Sequence, residues 1–492
     1  MADALEKTRF DVIVAGCGVA GLSAAVSATE NGARVAILER ATFEERGGQT
    51  RYTEAYFRMK SEHEVSDDFE AHLAENSGGH LDPSLVDAMS GDRAHWPAYL
   101  KSLSINDPNL LAAFADSAGP TVQWLKGHGV RFDFLPTQFL TKTQPRLLPV
   151  GGGQALVDAL AAAAEKAGVR FFYETTARRL VLDSRGGIAG IEVSGGGERR
   201  VLHAPAVVLG CGGFEGSAEM QTRYLGPRSV YLRPICRGAY YNKGEGIQMA
   251  LEIGAAPCGD FGSYHAEPID PRSGVAEASL MIFPYGILVN KEGRRFTDEA
   301  PGAVDANYER VTRRIYEQTE GIAYIVLDAR VEDVPNYRLA IRTDQPPITA
   351  PSIVALAAKL GLPAAAVEET VKGYNAACLG GTFKPLEVDG LATTGLAPPK
   401  SNWARPIDRP PFTAYPVISA NVFTFGGLKI DEHGRVLDVD GAPIPGLYAA
   451  GETVGMYYRT YTGATSVMKG AVFGRLGGAH AAKLRRASSA DG

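Results

Sequence analysis

Long apolar runs are missing from this chain of 492 residues, and without a stretch of about 18 apolar residues nothing reads as a bilayer-spanning helix. Cysteine is scarce. The five, at 17, 211, 236, 258 and 378, include no CxxC pair. That argues against a disulfide framework or a metal cluster and suits reduced thiols in a cytoplasm. Neither sign of charge is in large excess: a formal net charge of −6 favours neither nucleic acid nor an acidic membrane surface. No internal repeat or long low-complexity tract is visible. The polar start, residues 2–9, runs directly into an apolar segment with no room for a signal peptide, so a cytoplasmic location is expected. The chain is long for one core, and two or three domains are expected.

Glycine is plentiful, with 57 residues clustered at a few turns. Residues 10–40 read FDVIVAGCGVAGLSAAVSATENGARVAILER. An apolar strand enters the turn Gly16-Cys17-Gly18-Val19-Ala20-Gly21, an alanine-rich helix follows, and a second apolar strand ends on Glu39 and Arg40. In a dinucleotide site Gly16 permits the tight turn, Gly18 lets the backbone approach a pyrophosphate, and Gly21 lets helix and strand pack closely. The helix start at Val19 and Ala20 offers free amide hydrogens to phosphates. Glu39, roughly 20 residues into the motif, is placed to accept both hydroxyls of an adenosine ribose.

Later segments complete the site and point to FAD rather than NAD. Residues 206–214 (AVVLGCGGF) and 446–452 (GLYAAGE) are short strands ending on Cys211-Gly212-Gly213 and on Gly451-Glu452. Thr465, Ser466 and Val467 then open a last helix, expected over about 467–482. Its dipole favours negative charge at the flavin N1 and C2 carbonyl. Residues 46–51 bring Gly47, Gly48, Thr50 and Arg51 to the pyrophosphate and isoalloxazine, and residues 173–180 form an edge strand where Ala177 leaves room for adenine. Glu245, in the GEG turn, joins this set, and Glu452 is placed for the ribityl chain. A cofactor gripped by segments from both ends of the chain resembles the arrangement of two-domain FAD flavoproteins. Cys17 and Cys211 read as small fillers.

Five blocks extend the resemblance: GGQTRYTEAYFRM (47–59), YGILVNKEGRRFTDE (285–299), KSNWARPIDRPPFTAYPV (400–417), FTFGGLKID (423–431) and GLYAAGETVG (446–455). On these the chain resembles the succinate dehydrogenase and fumarate reductase flavoprotein superfamily, and within it most of all the FAD-dependent tricarballylate dehydrogenases. The resemblance implies an α/β fold, a Rossmann-like FAD domain of the glutathione-reductase type split by an inserted α+β capping domain. The FAD-binding part is expected at 1–261 and 421–485, the cap at 262–420, and a disordered tail at 486–492. The family's FAD can be attached through a histidine after the early glycine pair. Residues 47–52 hold none, so non-covalent FAD is expected.

The family oxidises an activated CH–CH bond or reduces the corresponding double bond, by hydride transfer at flavin N5 with proton transfer at the neighbouring carbon. Fumarate reductases use two histidines, a substrate-binding arginine near the last helix and a proton-delivering arginine. His265 matches the first histidine. The second is replaced in Phe423-Thr424-Phe425, as in the tricarballylate branch. Tyr461 matches that branch's tyrosine, and Arg459 is a candidate carboxylate partner. Ala306 stands where the branch has its arginine before Asn307-Tyr308. Arg310 or Arg313 is one substitute; Tyr461, Tyr308, Tyr285 or water is the other. The loss leans toward a ketone-activated substrate or one with fewer carboxylates, and a ketosteroid-dehydrogenase-like desaturase is the rival reading. A catalytically silent flavin-binding or electron-relay protein is the rival of another class. Arg51 and Arg58 are further carboxylate candidates, Arg295 is expected to brace the cap with Arg294 in solvent, and Glu267 and Asp270 read as surface acids at the hinge. The resemblance also implies a separate electron acceptor, a membrane iron–sulfur protein or quinone.

Overall fold

A computed structural model describes residues 8–75, 82–89, 95–134 and 146–484; the tail expected at 486–492 lies outside these. Its first sheet takes strands from both ends of the chain, in the order Arg435–Leu437, Pro443–Ala449, Ala206–Leu209, Val12–Ala15, Val35–Leu38, Arg170–Phe172. All neighbours run parallel except the first pair. The central strands VIVA, VAIL and AVVL are buried at every residue, as expected where helices cover both faces of a parallel sheet. A three-stranded antiparallel sheet has Thr176–Leu182 at its edge.

The helix Val19–Glu30 leaves the first strand through Gly16, whose φ of 102° suits glycine. It packs along the last helix, Ser466–Ala481. Three glycines one turn apart make that contact. A Cβ on Gly470 would lie 3.0 Å from Val19 Cγ1, one on Gly474 would strike the Ala20 carbonyl, and one on Gly478 the Ala24 carbonyl. Contacts that advance together along both helices mean the helices run parallel, so both N-termini sit at one end.

The second sheet is built on the 13-residue strand Phe412–Thr424. It pairs with Ile322–Leu327, Tyr264–Ile269, Ile348–Ala350 and Arg233–Pro234. This strand passes unbroken through residues 420 and 421, where the sequence placed the return to the FAD-binding part. Its register sets His265 opposite Phe423, with a bulge between His265 and Ala266. The helix Val304–Tyr316 lies over this sheet.

A buried ion group braces this part. Arg295 binds Glu299 through two bonds of 2.9 and 2.6 Å, and Lys400 Nζ donates to the carbonyls of Pro284 and Gly286. Arg294 points outward, paired with Glu369. No described helix is long and apolar enough to cross a membrane.

The helix seam makes a paired test. Gly474→Val forces overpacking against the Ala20 carbonyl and should cost about 1–3 kcal/mol, with a lower urea midpoint and loss of flavin during purification. Gly373, on the exposed face of the helix Ala364–Ala377, has open space where its Cβ would stand. Gly373→Ala should therefore be neutral or stabilise by up to about 1 kcal/mol. Equal midpoints for the two variants would contradict the seam.

Candidate active site

Two adjoining cavities occupy the end of the parallel sheet where the helix N-termini meet. The first runs from Glu39, Arg40 and Ala177, past Gly16, Gly18, Val19 and Ala20, to Gly451, Glu452, Ser466 and Val467. Gly48, Thr50, Cys211, Gly212 and Glu245 also line it. Each end has a physical character. The Glu39 carboxylate accepts the amides of Cys17 (3.1 Å) and Ala41 (2.8 Å), and burial raises its pKa while these bonds oppose the rise. Arg40 pairs with Glu245 at 2.5 Å. At the first helix start, Val19 N donates to Thr50 Oγ1 at 3.1 Å. At the other end Glu452 accepts from Thr424 N (2.7 Å) and from Gln49 Nε2 (3.1 Å). Lys469 Nζ is buried beneath it, donates to the Val454 carbonyl, and is pushed down to about 7 by burial.

Other residues of the motif act from behind the wall. A Cβ on Gly21 would collide with the Gly16 carbonyl, and one on Gly213 with the Glu452 carboxylate, so both glycines make room for lining groups. Gly47 abuts Val157. Arg51 turns away to the Glu44 carbonyl. The residues fit FAD: a ribose-accepting carboxylate at one end, helix amides for phosphates in the middle, and a second helix start at the far end.

The second cavity, of about 570 Å³, is the size of a small-molecule site. His265, Tyr308, Phe423 and Tyr461 form an aromatic wall, with His265 4.5 Å from the Tyr461 ring and 5.1 Å from Phe423. His265 Nε2 and the Tyr308 hydroxyl share a 2.7 Å hydrogen bond. Burial, aided by Arg313 and Arg146, pushes His265 down to about 3, so it is a neutral imidazole at ordinary pH. Its buried Nδ1 has no hydrogen-bond partner among the described residues. Burial raises the Tyr308 phenol well above the usual range.

Opposite this wall lie charged side chains. Arg146 pairs with Asp305 at 3.4 Å and lies over the Tyr56 ring. Arg342 pairs with Glu54 at 2.9 Å and with Glu277 at 3.3 Å, and Glu267 and Arg338 complete the rim. Glu267 thus lines the cavity rather than open surface, on the strand Tyr264–Ile269 that pairs with Phe412–Thr424. Asp270 is fully buried and holds Arg272.

The structure brings together only some of the sequence candidates. His265, Tyr308 and Tyr461 meet. The Tyr461 hydroxyl, however, accepts the amides of Thr465 (3.0 Å) and Ser466 (3.1 Å) and donates to Ser466 Oγ. It caps the last helix and presents its ring to the cavity. Arg459 donates to the Glu75 carbonyl, away from both cavities. Tyr285 is tied to the Pro385 carbonyl, Arg310 lies near Asn307, and Arg313 reaches Ser263 and Glu309 behind the wall. Arg58 is wholly buried against Ser66 and Asp68. Sequence reasoning missed Arg146, Glu54, Glu277 and Arg342. Glu54 sits inside the block 47–59 and the other three in no motif, and only the fold unites them.

Removing the Glu39 carboxylate is the direct test of the first cavity. Glu39→Ala should weaken FAD binding to the apoprotein by about 1.5–3 kcal/mol, on the order of 10- to 100-fold in Kd, with unchanged circular dichroism. An unaltered Kd in calorimetry would remove Glu39 from the cofactor site.

Comparison with known proteins agrees with this geometry. Residues 11–467 match the family described as FAD binding domain. The vinyl phenol reductase of Lactiplantibacillus plantarum is 28% identical, covering 98% of each chain. The NADH:fumarate oxidoreductase of Klebsiella pneumoniae is also 28% identical over 98% of this chain, which spans only 48% of that protein. The open conformation of a flavocytochrome c3 fumarate reductase shares the fold at a TM-score of 0.73, with 24% identity, 98% of this chain and 81% of that one. The chain belongs to the FAD-binding flavoproteins of the succinate dehydrogenase and fumarate reductase superfamily.

Proposed function

We propose that this protein is an FAD-dependent oxidoreductase that adds hydrogen across, or removes it from, an activated carbon–carbon bond of a small conjugated molecule. One observation carries the reading: Thr53, Glu277, Val422, Phe423, Ser466 and Val467 line both cavities. A group filling the first therefore has an edge on the second. Bound FAD supplies a site that accepts or releases hydride.

The protein's own residues set what is bound there. The last helix starts at the shared wall, where its positive end favours negative charge on reduction. The His265–Tyr308 pair offers one neutral hydrogen bond to an activating oxygen, which strengthens as negative charge develops there. Arg146 and Arg342 already pair with Asp305 and Glu54, so a tricarboxylate would have to displace protein carboxylates. This favours a neutral conjugated substrate, or one with a single carboxylate, over tricarballylate. The vinyl phenol reductase likeness supports the same class. The aromatic wall also suits a cyclic ketone, the ketosteroid-dehydrogenase-like alternative.

FAD is held without a covalent bond in this reading, since residues 47–52 carry no histidine. We assign the segment 262–420 as the cap, a cytoplasmic location, and a separate electron-transfer partner, an iron–sulfur protein or quinone.

Photoreduced protein mixed anaerobically with unsaturated acids, vinyl phenols and cyclic enones should regain its oxidised flavin absorbance with at least one of them, giving the saturated product. Flavin left reduced by every compound would instead support the silent electron-relay alternative. His265→Ala should slow reoxidation at least about tenfold, roughly 1.4 kcal/mol of lost transition-state stabilisation. An unchanged rate would take His265 out of the reaction.

A further inference from the structure

We infer that Glu277 is the proton donor to the substrate carbon, in place of the arginine absent from position 306, an assignment that rests on the oxidoreductase reading above. Among the described residues, its side chain is the one carboxyl that lines both cavities. Tyr308 is held by His265 and the Tyr461 hydroxyl by the last helix, whereas the Arg342 bond to Glu277 is long, at 3.3 Å. Glu277 also adopts φ 51°, a left-handed backbone that costs energy outside glycine and that concentrates at functional sites. Its amide is fixed by the Ile235 carbonyl, and its own carbonyl accepts from Ser279 N. The strained turn is thus clamped on both sides and sets the carboxyl at the junction.

The surroundings keep a proton on it. Glu277 is 9% exposed and faces Glu267, Arg342, Glu54, the Thr53 hydroxyl and the Cys236 thiol. Burial and the neighbouring Glu267 push it up to about 8, and Glu267 itself up to about 7. Two carboxyls that disfavour each other's charge hold a proton between them near neutral pH.

With bound reduced FAD supplying hydride to one alkene carbon, the π electrons would form a C–H bond at the other with the Glu277 proton. The O–H electrons remain on the carboxylate, which regains a proton from water by way of Glu267. The reverse direction uses the carboxylate as base.

Single-turnover reoxidation of photoreduced protein by the best conjugated acceptor tests this. Wild-type rates should fall as pH rises through about 8, because the acid form is needed. Glu277→Gln should be at least about 100-fold slower and lack that limb, and Glu277→Asp should recover part of the rate. At about pH 7 the infrared spectrum of FAD-loaded wild type minus that of FAD-loaded Glu277→Gln should show a neutral carboxylic-acid band. A Gln variant within about twofold of wild type, or one that keeps the pH limb, overturns the assignment alone. So does a missing acid band, whatever the turnover. Wild-type flavin that no acceptor reoxidises overturns the functional reading instead, while the infrared band still reports on Glu277.

Discussion

The structure depends on one contact: backbone against backbone between the first helix and the last. Glycines at 470, 474 and 478 leave no Cβ at the three closest approaches, so the last helix settles onto Val19, Ala20 and Ala24. Because the two helices run parallel, both positive N-termini open into one cavity. A long anionic cofactor is then held by segments more than 400 residues apart in sequence, and the parallel sheet between them fixes their spacing. A larger side chain in the seam would separate the phosphate end of the site from the flavin end.

The second cavity inherits its character from this arrangement. The Tyr461 hydroxyl satisfies the amides of Thr465 and Ser466, so the helix start is held even before anything lies against it. Glu309, on the helix Val304–Tyr316, accepts from Tyr461 N and ties that loop to the layer carrying His265 and Tyr308. One face of the cavity is therefore a rigid aromatic wall, and the other a balanced set of arginines and carboxylates. The pairs Arg146–Asp305 and Arg342–Glu54 distinguish this cavity from one built around unpaired arginines.

Much of this was legible in the sequence. The first strand, turn and helix carried their own signature, because the glycine spacing and the trailing acid together specify a turn built to hold a dinucleotide. The last helix was expected from about 467 and begins at Ser466, a difference of one residue. His265 and Tyr308 were named by matching short segments to the family pattern, and they meet because the helix Val304–Tyr316 packs on the strand Tyr264–Ile269. Arg459 and Tyr461 illustrate the limit. Their positions near the last helix were readable, but the direction of a side chain depends on φ and on competing hydrogen bonds. Arg459 has φ 21° and turns outward, while Tyr461 turns to the helix amides. Arg146, Arg342 and Glu277 were invisible for another reason. Each lies in a stretch without periodicity or motif, and only strand pairing between distant segments brings them together.

The most direct measurement is a crystal structure of the FAD-loaded protein. Adenosine is expected at Glu39 and Ala177, pyrophosphate between the two helix starts, and the isoalloxazine edge against Val422, Phe423, Ser466 and Glu277, open to the second cavity. An isoalloxazine ring placed away from that shared wall, with the second cavity sealed from it by protein, would contradict this arrangement.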